Sequence, residues 1–398
     1  MTRRQSLVAT PFIAIVTLLA MAFFAPASSI AQSTPVPAPQ ASPAGPVMSA
    51  NVSVFATGFN SPRGLAFGPD GALYVAEGGT GGTTSTVGQC DQVPAPLGPY
   101  TGGKTARISK IATDGSVTTV AEGLPSAQTT AESGGDILGV ADVTFLNGEL
   151  YAVLAGGGCS HGNADQPNAV IKIGADGKVT QVADVSKFVQ ANPVAKPNAG
   201  DFEPDETTYS IIESGGMLYI VNPNHGTLDK VDPTSGAITR IVDFSKDYGH
   251  IVPTVVAVGS DGNFYVANLG VFPVTAGAES IYKVTPAGEV SVFAKGLTAV
   301  LGLEFGPDGG LYALEMSGEH SGQLPFTPGS GRVVRVEADG TLTPIATGLM
   351  TPTGMTFGPD GNIYVSINGF GAPPGAGEIV KIDLKMPIGG APMATPVG

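Results

Sequence analysis

The 398-residue chain has no tryptophan, two cysteines and four histidines, and only 13% of it is Asp, Glu, Lys or Arg. Basic residues are scarcest, with 19 Lys and Arg against 33 Asp and Glu, a net charge of −14. Such a surface repels a phosphate backbone, so nucleic acid is excluded as a partner. Neither a Gly-x-Ser-x-Gly elbow nor an HExxH helix occurs, which removes two common hydrolase chemistries. The one long apolar run, Pro11 to Phe24, is shorter than the roughly 20 residues a membrane span needs. No cysteine follows it, which argues against a bacterial lipoprotein.

That run has Arg3 and Arg4 before it and the small-x-small site Ser29-Ile30-Ala31 after it, the layout of an export signal over residues 1–31. An uncleaved anchor is the alternative. The signal predicts a secreted or periplasmic protein with no stable membrane insertion after cleavage. Residues 32–48 are a Pro/Ala/Ser linker and 385–398 a tail of similar composition, neither able to bury enough apolar surface to order itself.

What the chain has in abundance is glycine, 57 residues, and a repeated phrase. SPRGLAFGPDGALYVAEGG (61–79) returns as TVVAVGSDGNFYVANLG, LGLEFGPDGGLYALEMSG and TGMTFGPDGNIYVSING, with weaker copies at 141–157 and 208–224. The turn glycines Gly71, Gly148, Gly216, Gly262, Gly309 and Gly361 are 77, 68, 46, 47 and 52 residues apart. Short-strand repeats of this length predict an all-β fold over 49–384, a six-bladed β-propeller with four-stranded blades.

Within each repeat the first two strands are apolar on both faces, as strands between neighbouring blades must be. The third carries one cation in each copy: Lys110, Lys172, Lys230, Lys283, Arg335 and Lys381. These read as solubilising, edge-protecting charges rather than a binding stripe. A polar–apolar outer strand follows in five copies. The sixth lacks one, and NVSVFATGF (51–59) resembles EVSVFAKGL (289–297), so the N-terminal strand is expected to complete the last sheet and close the ring.

This phase puts all tight hairpins on one face and the long insertions, 78–104, 124–139, 155–168, 186–207, 269–279 and 316–331, on the other. Loops on a rigid scaffold commonly carry function. His161, His225, His250, His320, Cys90 and Cys159 all map there. A disulfide between Cys90 and Cys159 is predicted, because both follow the second strand of adjacent blades in a chain with an export signal.

The repeats resemble the ScyD/ScyE family, exported propellers related to NHL-repeat proteins and named from the pathway of the pigment scytonemin. The resemblance covers about residues 52–384. It is carried by TYSIIESGGMLYIVN, by VPTVVAVGSDGNFYVANLGVFPVTAGAESIYKV with its Gly-x-Phe-Pro loop, and by TPTGMTFGPDGNIYVSINGFG. It implies fold and export more firmly than chemistry.

In metal-dependent lactonases of the gluconolactonase-like family, Glu, Asn and Asp at inner-strand starts hold the ion. Here that slot holds Arg63, Ala141 (or Asp142), Thr208, Thr254, Leu301 and Thr353. An oxygen-ligand metal needs converging carboxylates or carbonyls, so no metal or other cofactor is expected. Asp201, Glu203 and Asp205 alternate like a calcium loop, but Glu206 stands where glycine is needed and Ile212 where glutamate is. An acidic, solvated loop is expected instead.

The second strands end in Glu77, Leu154, Asn222, Asn268, Glu315 and Ile367. Glu77, Asn222, Asn268 and Glu315, with Arg63, His225 and His250, are the candidate ligand-binding set, a polar funnel for an anionic or hydroxylated small molecule. The competing reading is that each strand-end residue bonds its own local backbone. Two functions follow: a binding propeller that takes a small molecule, glycan or protein on its loop face, or an enzyme working on a small organic substrate in the funnel.

Overall fold

The computed structural model describes residues 47–133, 135–319 and 326–389. The expected signal peptide, most of the linker, His320 and the tail from residue 390 lie outside the described residues.

The fold is a six-bladed β-propeller of antiparallel sheets. The first blade comprises Pro62–Phe67, Leu73–Glu77, Thr101–Ile111 and Val117–Gln128, with Ile137–Leu138 added at its edge. The second runs Val140–Leu146, Glu149–Leu154, Ala169–Ile173 and Val179–Asp184. The third and fourth are Ser210–Ser214, Met217–Asn222, Thr227–Val231, Ile238–Asp243, then Pro253–Val258, Phe264–Asn268, Glu279–Val284, Val290–Leu297. The fifth is Val300–Phe305, Leu311–Glu315, Gly331–Val336 and Leu342–Leu349. The sixth has Gly354–Phe357, Ile363–Ile367 and Gly377–Ile382, and its fourth strand is Val52–Phe59.

Val52 pairs opposite Ile382 and Phe59 opposite Gly377, so the N-terminal strand closes the ring. Phe59 is fully buried with Leu65, Leu73 and Val75 of the first blade and Tyr364 and Ile379 of the sixth. One strand therefore bonds the last sheet and packs on the first. Just before it, Met48 packs on the core between the fifth and sixth blades, and Ser49 N donates to Thr347 O at 3.0 Å.

The repeated phrase has a physical role at the hairpin face. Gly71 sits at φ 76°, which the turn after Asp70 demands and a side chain would resist. Asp70 accepts from Ala72 N at 3.2 Å and Tyr74 OH at 3.1 Å, and pairs with Lys110 at 2.6 Å. Asp261, Asp308 and Asp360 bind their tyrosine and cation the same way. The cation of the third strand thus ties that strand to the first hairpin. These pairs are half-exposed, so each contributes about 1 kcal/mol or less. The tyrosine ring then meets a phenylalanine of the next blade edge-on: Tyr74–Phe145 at 5.0 Å, and Tyr265–Phe305, Tyr312–Phe357 and Tyr364–Phe67 at 5.1 Å. Such contacts add about 0.5–1.5 kcal/mol each beyond burial.

Two insertions are more ordered than a loop reading allows. Thr101–Ile111 and Val117–Gln128 form an 11- and 12-residue hairpin that carries the first blade out over the loop face. Val185–Ala191 is a helix capped by Asp184, whose side chain accepts from Lys187 N at 2.8 Å.

Candidate functional site

The loop face surrounds a cavity of about 480 Å³. Its wall is contributed by loops from several blades: Leu97 and Tyr100 from one, Asp136 and Leu138 from another, Asp201 and Glu203 from a third, Phe272 from the fourth blade and Phe370 from the sixth. Arg63, Thr254 and Tyr209 come from inner strands or their approaches. Most of the lining is apolar; Phe272 and Val271 are exposed at its rim.

Of the seven residues expected to bind ligand, Arg63 lines this cavity and the other six do not. The four strand-end residues are buried and occupied locally, which corrects their expected placement. Glu77 accepts from Asn60 N and Arg107 Nε, both at 2.7 Å, and from Ser109 Oγ at 2.5 Å. Glu315 repeats the motif with Thr298 N at 2.7 Å and Arg332 Nε. Asn268 donates to Ile251 O at 2.9 Å and to Glu279, and accepts from Ser280 N at 2.9 Å. Asn222 accepts from Thr208 Oγ1 at 2.8 Å and donates to Asp229 Oδ2 at 2.7 Å. Each ties its strand end to the neighbouring strand or to the chain that leads into its blade.

His225 and His250 stand one layer behind the wall, and their partners come from a single segment. The stretch 201–206, expected to be solvated, is a largely buried acidic strap, which corrects that expectation. Asp201 Oδ2 is 2.6 Å from His250 Nε2, Glu203 Oε2 is 3.0 Å from His161 Nε2, and Glu206 binds His225 Nδ1. Asp205 accepts from Ser160 N at 2.8 Å and Ser160 Oγ at 2.7 Å. Glu206 also accepts from the backbone N–H groups of Thr207, Asn224 and His225 at 3.0–3.1 Å, which holds it at φ 63° despite its side chain. Burial, the largest single influence, would raise the Glu206 pKa; the His225 charge and the hydrogen bonds from His225, Thr207 and Asn224 together lower it. All three described histidines are thus spent on the strap.

Glu203, like Asp201, also lines the cavity, and there it is joined by a buried tyrosine. Its Oε1 accepts from Tyr100 OH at 2.6 Å, and Tyr100, Glu203 and His161 are 2%, 3% and 0% exposed. Burial pushes the Glu203 pKa up against the pull of His161. Burial and the Glu203 charge hold the Tyr100 hydroxyl well above its usual range. His161 Nδ1 lies 2.6 Å from Gly157 O. A carbonyl only accepts, so Nδ1 carries hydrogen and the Nε2–Oε2 contact holds one shared proton.

Arg63 is 5% exposed, and its Nη2 donates to Asp136 Oδ1 at 2.6 Å and Ile137 O at 2.5 Å. Its charge is therefore neutralised within the wall. Two of the other inner-strand starts spend their hydroxyls on carbonyls of the next blade: Thr254 donates to Val300 O at 2.5 Å and Thr353 to Pro62 O at 2.6 Å. These residues do not fit the oxygen-ligand ring of a metal-dependent lactonase. Among the described residues no group of three or more His, Cys, Asp or Glu is arranged to hold a metal.

Below the cavity a smaller one of about 40 Å³ is lined by Ala141, Asp142, Tyr209 and Met355. A Cβ on Gly64 would come within 1.9 Å of Asp142 Oδ1, so only glycine admits that carboxylate. Above, Cys90 and Cys159 are joined, with Sγ atoms 2.08 Å apart. The bond tethers the insertion bearing Leu97 and Tyr100 to the one bearing His161.

No protein-family signature matches the sequence, and no curated protein matches it. Solved structures do match. A structural-genomics protein of unknown function from Bacteroides thetaiotaomicron superposes with a TM-score of 0.53 at 13% identity, over 84% of this chain and 75% of its own. A gluconolactonase from Xanthomonas campestris gives 0.50 at 11%, over 83% and 88%. A protein described as an oxidoreductase (glucose dehydrogenase) from a Thermus species gives 0.50 at 17%, over 83% and 98%. At these identities the likeness is one of fold. Among the described residues no helix is long and apolar enough to cross a membrane.

Proposed function

We propose that the chain is an exported six-bladed propeller that binds a small, flat, largely apolar organic molecule, neutral or cationic, in the loop-face cavity. The signal layout of residues 1–31 and the ScyD/ScyE resemblance support export. One observation carries the binding reading. The cavity has a volume of about 480 Å³ and a mainly apolar lining contributed by several blades, into which the Tyr100 hydroxyl and the Glu203 carboxylate are set.

The charge pattern selects the ligand class. Three carboxylates line the cavity, Asp136, Asp201 and Glu203, against the single guanidinium of Arg63, which is already bonded to Asp136. An anion finds no free cation there, so the anionic half of the sequence expectation loses its basis. A concave pocket of this volume suits a small molecule better than a glycan chain or a protein surface.

Thermal-shift screening of residues 32–398 with matched neutral, cationic and carboxylate-bearing aromatic compounds tests this. Neutral and cationic members should raise the melting temperature, and Phe272→Ala should weaken them at least tenfold. Stabilisation confined to the carboxylates, or indifferent to Phe272→Ala, would refute the reading.

A further inference from the structure

We propose that Glu203, held between Tyr100 and His161, is a general acid–base group that moves a proton on a carbon acid bound in the cavity. The proposal rests on the binding reading above and adds chemistry to it. A merely structural His–Glu pair would be sealed from the cavity on all sides; here the carboxylate and the tyrosine both line it. The lining around them is mainly apolar (Leu97, Leu138, Ala155), the setting in which a carboxylate is strengthened as a base.

The geometry assigns the parts. Gly157 O fixes the His161 tautomer, so His161 Nε2 and Glu203 Oε2 share one proton at 3.0 Å. With that proton on His161, Glu203 is a carboxylate able to accept another. It takes a hydrogen from a carbon beside a carbonyl, and the bonding pair passes into the carbonyl as an enolate. The Tyr100 hydroxyl, 2.6 Å from Oε1, can turn to the developing oxyanion. In a β,γ-unsaturated compound the enolate's charge extends to the γ-carbon, and Glu203 returns the proton there as the double bond moves into conjugation. The result is a proton-shift isomerisation of a neutral carbonyl compound that needs no co-reactant. His161 is a positioning residue in this scheme and sets the basicity of Glu203.

The probe is 5-nitrobenzisoxazole, a flat neutral carbon acid. Loss of its ring C–H proton to a base breaks the N–O bond and releases a coloured nitrile-phenolate. Its binding is read by thermal shift and its turnover by absorbance, on the oxidised protein. Saturable turnover at least ~10²-fold above equal acetate is expected. Glu203→Gln, which keeps an acceptor for Tyr100 and a donor for His161, should abolish turnover and spare binding. If it does not fold, Glu203→Asp, which retracts the base, should fold and lose at least tenfold.

The groups acting on Glu203 are Tyr100, His161 and Asp201; Asp205 acts through His161, and Asp136 through Tyr100. Because the His161 charge lowers the Glu203 pKa, His161→Gln should move the midpoint of the pH–rate profile upward, a change that a structural role alone would not produce. Binding without turnover, or turnover indifferent to Glu203→Gln, overturns the acid–base assignment. Absence of probe binding overturns the cavity reading and the proposal with it.

Discussion

Thr298 gives its backbone N–H to the buried carboxylate of Glu315 at 2.7 Å, and Asn60 does the same for Glu77 four blades away in sequence. Each carboxylate also holds an arginine directly across the sheet, Arg332 and Arg107. The pair of bonds latches the chain entering a blade to that blade's second and third strands. Replacing either glutamate by alanine strands a part-buried guanidinium and a backbone donor. The expected loss is about 3 kcal/mol, from the range for breaking a buried pair. Urea unfolding of Glu77→Ala and Glu315→Ala measures it; a change below 1 kcal/mol in both would contradict the latch.

The closing strand gives a second expectation. Val52–Phe59 supplies the outer edge of the sixth sheet and buries Phe59 against the first blade. Deleting residues 32–59 should lower the melting temperature of the whole propeller by 10 °C or more, at about 2–4 °C per kcal/mol for a large domain. Deleting 32–46, which stops short of the packed Met48, should leave it within a degree. Equal melting temperatures would show that the ring does not depend on this strand.

The Cys90–Cys159 bond spans 69 residues. Closing a loop of that length restricts the unfolded chain and stabilises by roughly 2–4 kcal/mol. It also ties Tyr100's insertion to His161's, so its loss should loosen the cavity as well as the fold. Thiol titration of the denatured, unreduced protein should find none, and Cys90→Ser/Cys159→Ser should lower both stability and affinity for cavity ligands. Two reactive thiols would refute the bridge.

Fold was far more legible in the sequence than site. Turn glycines such as Gly71 and Gly361 repeat because each hairpin imposes the same positive φ, and the missing sixth outer strand pointed directly at residues 51–59. Arg63 was legible because it stands at a repeat position facing the axis. Glu77 and Glu315 were found but misplaced: their partners Arg107 and Arg332 sit opposite them in register, a cross-strand pairing that repeat alignment could have exposed. Tyr100, Glu203 and His161 come from three unrelated insertions, where no period exists. The 201–206 strap read as solvated because its burial depends on histidines 19 to 49 residues distant. The matching number of acids and loop-face histidines was the one available signal.

Several groups titrate in the folded protein in ways that set its pH response. Burial raises Asp142 and Glu304 to about 7, and Asp229 to about 6. Each lies above its unfolded value near 4, so protonation favours the folded state. The stability they add is full below about pH 4 and is lost as pH rises through 6 to 7. His161 and His225 act in the same direction. For both, burial alone would lower the pKa, and the facing glutamate reverses the shift. Glu206 works oppositely: its lowered pKa contributes stability above about 4 that disappears in acid. The melting temperature should therefore peak near pH 5 and fall by several degrees toward pH 8. Glu304 offers a clean check, because one oxygen accepts from Phe357 N at 3.1 Å and glutamine can keep that bond without the charge. Glu304→Gln should be nearly neutral at pH 5 and stabilising at pH 8, flattening the profile. A wild-type melting temperature constant from pH 5 to 8, or a substitution that shifts both ends equally, would show that these buried acids do not govern the response.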